Sequence, residues 1–199
     1  MKVNKFWNDL LTKGAILGGI MLISHCIEQC IFVYGGTIGW LTVMGIEWIV
    51  AVVLYTYLVY RFTKSYAASV MEQQGEVKVF TYGNGLSYIL SVSILAGTIV
   101  GVGAYILRHN IIGHTEYVTK VAEMMINILK STPEAAQIGD MSQMVNQILQ
   151  QPEPSIFSTI ASNIWNYMLG GLLVGLFVAG FTKHSPKLFD KNQEENNAE

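Results

Sequence analysis

Two acidic residues stand where acids are costly: Glu28 and Glu47 each interrupt an apolar run long enough to cross a bilayer. At a helical rise of about 1.5 Å per residue, Glu28 falls about 9 Å inside the end of the first run and Glu47 about 12 Å inside the start of the second. Only the short turn Gly35-Gly36-Thr37-Ile38 joins those runs, so the two acids are expected as neighbours at similar depth. His25 precedes Glu28 by one helical turn on the same face, with Ser24 beside it, and an imidazole there can pair with either carboxylate or share a proton. In the last apolar run Ser158, Ser162 and Asn166 recur every fourth residue, flanked by Thr159 and Asn163. Together these residues define a candidate polar pocket open to the outer side. Adjacent carboxylates repel, so a proton, a cation or His25 must neutralise one of them. That is suitable chemistry for a proton or cation site. The same residues could instead hydrogen-bond between helices and fix their packing, or the acids could reach interfacial water.

Other groupings carry less. His109, His114 and Glu116 are metal-ligating types, but a five-residue spacing does not put both histidines on one helical face. Cys26 and Cys30 sit four apart within the first run, where free cysteines act as small hydrophobes. Nothing resembles a nucleophile elbow, a phosphate-binding loop or a metalloprotease helix, so an enzyme, a cofactor and a metal are not expected.

The elements that must position the two acids follow from composition. Of 199 residues 51% are hydrophobic and 13% charged, well below the roughly 25% charge of soluble domains. The charges cluster and leave four nearly uncharged runs, about 14–34, 39–60, 86–107 and 156–181, each long enough to span. Trp40, Tyr57, Tyr60, Tyr88, Tyr105 and Phe181 lie near their ends, where amphipathic rings favour the headgroup layer. The fold class expected is all-α, a polytopic bundle of four transmembrane helices. With a net charge of −2 and no dense basic tract, nucleic acid is not a partner to expect. The first run lacks a small-x-small cleavage site, and His25 precedes Cys26 where a lipoprotein site needs a small residue, so it reads as an uncleaved span.

Lys2, Lys5, Lys13, Arg61, Lys64, Lys78, Lys183, Lys187 and Lys191, nine of the twelve basic residues, flank one side of the runs. Arg108, Lys120 and Lys130 alone lie between the third and fourth, against five acids. Basic residues are retained on the cytoplasmic side, so both termini are expected there.

Between the second and third spans, Phe62 to Gly85 should extend the second helix for two or three turns, break at Gly75, approach the membrane through Val77, Val79 and Phe80, and turn sharply at Tyr82-Gly83-Asn84-Gly85. On the outer side, 109–155 reads as a hairpin of two amphipathic helices. Val118, Val121, Met125, Ile128 and Leu129 form the first stripe. Thr132 caps the second helix ahead of Pro133 and Glu134, and Ile138, Met141, Val145, Ile148 and Leu149 form its stripe before Pro152 and Pro154 end it. The stripes should bury each other, with the membrane surface covering the remainder. Met124, Met125, Met141 and Met144 give that surface adaptability suited to a peptide, lipid or subunit. Residues 1–185 read as one membrane domain, and 186–199 as a disordered cytoplasmic tail.

Three Gly-x-x-x-Gly pairs, Gly14/Gly18, Gly97/Gly101 and Gly171/Gly175, lie on the first, third and fourth spans. Such surfaces let helix backbones approach closely in lipid. They serve either packing within the bundle or dimerisation.

The order of parts resembles a family, the Bacteroidota membrane proteins grouped as domain of unknown function 4199. A basic start, Lys5-Phe6-Trp7, leads into Gly14-Ala15-Ile16-Leu17-Gly18; the second span ends in Tyr60-Arg61; Val79-Phe80-Thr81-Tyr82-Gly83 opens the third; a helical insert precedes a glycine-rich last span ending in Lys183. The resemblance covers about residues 5 to 185, with Tyr82-Gly83 standing where the family has Phe-Gly. It implies a four-helix protein of the bacterial inner membrane, and no family activity or site residue comes with it.

The function expected is a non-enzymatic accessory or scaffold subunit that binds protein or lipid, with the bilayer and a membrane-protein partner or second copy as its contacts. The alternative is a small proton- or cation-coupled transporter using Glu28, Glu47 and His25.

Overall fold

The computed structural model describes residues 2–35, 38–74, 79–131 and 146–184, and long helices dominate them. Helix α1 is Lys2–Tyr34, α2 Ile38–Glu72 and α3 Tyr82–Ile106; a π-helical turn, Leu107–Ile112, continues α3; α4 is His114–Ser131 and α5 Ile156–Thr182. The stretches Lys5–Tyr34, Thr42–Glu72, Tyr82–Ile112 and Ile156–Thr182 are each long and apolar enough to cross a membrane. Helices satisfy every interior backbone group within the segment, which hydrocarbon demands. The protein is an all-α polytopic membrane bundle. Its terminal end carries Lys5, Glu72, Tyr82 and Thr182, and its far end Tyr34, His114 and Ile156.

Helix α3 is the axis, with α1 and α5 packed mainly on it. All three glycine pairs serve these two seams. A Cβ on Gly14 would lie 2.6 Å from Leu95, and one on Gly18 would lie 3.1 Å from the Ala96 backbone. Gly97 and Gly101 leave room for α5, where a Cβ would come within 2.9 Å of the Ile164 backbone and 2.8 Å of that of Ile160. Gly171 and Gly175 return the favour, closing on Ser93 and Leu86. Backbones brought this close by the missing methyls gain van der Waals contact, which holds helices together where lipid removes any hydrophobic sorting. Leu17, Ile89 and Ala96 are fully buried at the centre.

Helix α2 is held differently along its length. Tyr55, Val59, Phe62, Thr63 and Ala67 are buried, yet none of residues 42–54 is. Trp48, Ile49 and Val53 are 64, 65 and 63% exposed. The packed half is pinned by rings: Tyr66 stacks on Tyr88 at 4.2 Å, and Phe6 and Phe80 meet Tyr66 edge-on. Tyr88 also donates to Asp9 Oδ2 at 2.5 Å. Phe80 and His184 exchange backbone hydrogen bonds of 2.9 Å, tying the approach to α3 onto the end of α5.

Several expectations change here. Tyr82-Gly83-Asn84-Gly85 is no sharp turn but the first turn of α3, capped by Thr81, whose hydroxyl accepts from the Asn84 N–H at 3.2 Å. Gly85 is small because Ala179 and Phe80 crowd it, at 3.2 and 3.3 Å from where a Cβ would sit. The residue that needs glycine's freedom is Gly113, at φ +88°, which turns the chain from the π-helix into α4. Tyr88 is a core residue and not an interfacial anchor, because Asp9 satisfies its hydroxyl. Helix α2 continues to Glu72 as expected, while Gly75 and Val77 lie outside the described residues.

The first amphipathic helix of the far segment forms as α4. It buries Val118 and Ala122 and packs on α1 and the π-helix, so its apolar face is not reserved for a hairpin partner. Residues 146–149 are helical, with Ile148 half-buried and Leu149 exposed. Thr132, Pro133, Glu134, Ile138, Met141, Met144 and Val145, and the 186–199 tail, lie outside the described residues.

Candidate intramembrane polar site

The site is built at the far end, mostly from one face of α1. Ser24 donates from its hydroxyl to Glu47 Oε1, a side-chain bond joining α1 to the open half of α2. One position on, His25 Nδ1 lies 3.2 Å from Glu28 Oε2 within α1, the imidazole N–H donating. Both carboxylates therefore reach one region of the bundle, and each has its own partner. The imidazole pairs with Glu28, and Glu47 takes the serine. His25 Nε2 is buried with no partner among the described residues. With Nδ1–H donating to Glu28, Nε2 of a neutral imidazole is an unused hydrogen-bond acceptor.

A second polar group adjoins the first. Gln29 is 2% exposed and accepts from Arg108 Nε at 3.2 Å. Arg108 projects from the π-helical turn, and its Nη2 donates to the Tyr117 hydroxyl at 3.4 Å. The guanidinium also lies over the Tyr117 ring, 4.5 Å from its centroid, a cation–π contact. Burial pushes the Tyr117 phenol above its ordinary range and the Glu28 charge adds to this, while Arg108 and a hydrogen bond with Gln29 pull it down. Arg108 thus couples α1, the end of α3 and α4. An inserted residue in a π-turn re-aims the side chains that follow it, a device frequent at functional sites.

Ser162 and Asn166 do not join this group. Both are exposed, and Ser162 donates to the Thr159 carbonyl of its own helix at 3.1 Å. Ser158 is exposed as well. The α5 face turned to the bundle is one position over: Thr159 is 7% exposed, and Asn163 donates to the Thr159 carbonyl at 2.9 Å while abutting Gly97 and Gly101. Because α3 lies between α1 and α5, the inward polar residues of α5 are Thr159 and Asn163, while Ser158, Ser162 and Asn166 stay exposed.

His109 and His114 are used separately. His109 Nδ1 pairs with Glu153, and His114 Nε2 meets the Gln151 carbonyl at 3.2 Å, so both tie the returning chain to the far end while Glu116 is exposed. Cys26 and Cys30 are free thiols bordering one apolar groove on α1, with Cys30 exposed.

Sequence alone does not single out Gln29, Arg108 or Tyr117 as site residues. The one available signal is Arg108 closing the apolar run of the third span. The π-turn that aims it leaves no trace in composition.

The polar group is confined to one end. Towards the terminal end the interior becomes Leu17, Met21, Ala96 and Val100, all at most 4% exposed. The Tyr55 and Ser93 hydroxyls below satisfy each other at 2.7 Å. Fold and site together define a four-helix membrane protein with a lopsided polar cluster. The family profile described as protein of unknown function (DUF4199) matches residues 12–184, and the chain belongs to that family. No curated protein and no solved structure matches it.

Proposed function

We propose that this chain is a non-enzymatic accessory or scaffold subunit of the bacterial inner membrane, with both termini cytoplasmic, that acts by binding a membrane partner. The observation that carries this reading is the far half of α2: none of residues 42–54 is buried, and Glu47 is tied to the bundle through Ser24. A helix half with no buried side chain, and an acid at its middle, suits a surface that another membrane helix or a second copy completes. Among its larger side chains stand Gly45, Glu47 and Ala51, the small and polar types that glue such contacts. The cytoplasmic side follows from Lys5, Lys13, Arg61, Lys64 and Lys183 at the terminal end, against Arg108 and Lys120 at the other.

The test is affinity purification from native membrane in mild detergent with quantitative mass spectrometry and an untagged control. A stoichiometric membrane protein, or a second copy, that is lost on Ile49→Arg supports the reading. Recovery of the chain alone, with the same mass as Ile49→Arg, counts against it.

A proton-coupled transporter is the second reading, favoured by the bare His25 Nε2 next to Glu28. It requires a polar route past Leu17, Ala96 and Val100. It expects Glu28→Gln and Glu47→Gln to abolish a proton flux in proteoliposomes while the protein still folds; the accessory reading expects no flux from either the native chain or the variants.

A further inference from the structure

Between α2 and α5, at the terminal end, lies an apolar groove of about 480 Å³ bordered by Thr56, Tyr60, Val174, Phe177 and Phe181. Its chemistry changes abruptly at its end. Arg61 follows Tyr60 directly, Lys64 lies one turn further along α2, and Lys183 comes two residues after Phe181. All three cations are exposed. Arg61 donates from Nη1 to the Tyr57 hydroxyl at 3.3 Å, and the Lys64 ammonium sits 5.8 Å from the Tyr60 ring centroid. Among the described residues none of the three makes an ion pair. Exposed cations with apolar stems, two of them resting on tyrosines of α2 and the third capping α5, suit the headgroup layer and an anion from outside the chain.

A second groove, about 590 Å³, runs along the far half of α1 past Ile23, Ile27 and Tyr34. It is larger, and like the α2–α5 groove it has no basic residue in its lining, but no lysine or arginine follows its lining residues in the chain as Arg61, Lys64 and Lys183 follow Tyr60 and Phe181. The difference decides which groove selects its occupant. Either accepts an acyl chain, and of the two the α2–α5 groove has three exposed cations just beyond its terminal end.

We propose that the α2–α5 groove is a binding site for one anionic phospholipid, with an acyl chain along Val174 and Phe177 and the phosphate at Arg61, Lys64 and Lys183. The site goes beyond the accessory reading and does not depend on it, since a scaffold or a transporter would carry it equally. It fixes α2 against α5 at the end where α2 is packed, and makes that packing responsive to the headgroup charge of the surrounding leaflet.

The test is native mass spectrometry of the full-length protein in detergent with phosphatidylglycerol or phosphatidylethanolamine of identical acyl chains. The native protein should retain one phosphatidylglycerol in preference to phosphatidylethanolamine. Each of Arg61→Gln, Lys64→Gln and Lys183→Gln should lower that preference by roughly fivefold, the effect of one cation at an anionic surface. Val174→Trp, which fills the groove and leaves the charge unchanged, should release the lipid, and Ile27→Trp in the other groove should not. Equal retention of the two lipids by the native protein overturns the site, as does a preference that survives the triple glutamine variant. A preference lost on charge removal but untouched by Val174→Trp also overturns it, because the attraction would then belong to the charged surface and not to the groove.

Discussion

The α3 seams and the far half of α2 are both apolar helix surfaces of one membrane bundle, and they are built on opposite principles. Along α3, glycines bring backbones so close that a single methyl would collide with Ile160 or Ile164. Along residues 42–54 of α2 most side chains are large, branched or aromatic, Gly45 and Ala51 apart, and none is buried. Of the most apolar window of α3 44% is buried, against 11% for α2. Hydropathy is high in both. What separates them is side-chain size, because in lipid close approach and not greasiness makes helices adhere. The bundle is therefore a closely packed α1–α3–α5 unit to which α2 is fastened by rings at one end, by Tyr55 and Ser93 midway, and by Ser24 and Glu47 at the other.

The comparison breaks most easily at the seam. Gly101→Ala places a methyl 2.8 Å from the Ile160 Cα, where only backbone can yield, and should cost about 1–3 kcal/mol, as overpacking does. Gly45→Ala, on the open half of α2 with nothing within 4 Å, should stay within about 0.5 kcal/mol. Denaturation in mixed detergent micelles measures both. Equal losses would erase the distinction between the two surfaces.

A smaller effect belongs to the tether. Ser24→Ala removes the hydrogen bond to Glu47 and should cost about 0.6 kcal/mol, the average for polar contacts between membrane helices. Its clearer signature is geometric. Spin labels at Ile27 and Val50 should move apart or broaden in distance distribution, while a pair spanning α1 and α3 keeps its spacing. An unchanged α1–α2 distance would show that something other than Ser24 holds the open half in place.

The smallest effect sharpens the far end. The folded state keeps the Tyr117 proton more tightly than the unfolded chain, whose phenol titrates near the ordinary value of about 10. Stability from this residue is thus fully present below about pH 10 and falls as pH rises beyond it, since the unfolded state alone then releases the proton. Tyr117→Phe should flatten the alkaline limb of the stability profile and leave the neutral region's slope unaltered.

Much of this architecture was legible in the sequence, because span length and charge distribution answer directly to bilayer thickness. Glu28, Glu47 and His25 were also legible, since an acid in an apolar run is conspicuous whatever surrounds it. The exclusion of Ser162 and Asn166 was not. Their four-residue spacing establishes a shared face but not its direction, and the face next to it, Thr159 and Asn163, meets α3. Arg108 depends on a π-turn that inserts one residue and rotates everything after it, and Gly113 on a backbone angle no composition reveals. The glycines of Tyr82-Gly83-Asn84-Gly85 promised a turn, yet Thr81 capped a helix there and Gly85 served contact with Ala179.

The central claim, that the open half of α2 is the face completed by a partner, is tested most directly by photo-crosslinking in native membranes. A photoreactive side chain would be placed at Ile49 or Val53 on α2 and, as a control, at Phe177 on α5, which is 71% exposed. The account predicts one discrete protein adduct, of a second copy or a single membrane partner, from both α2 positions, and lipid adducts alone from Phe177. Lipid adducts alone from Ile49 and Val53, or the same protein adduct from all three positions, would contradict it.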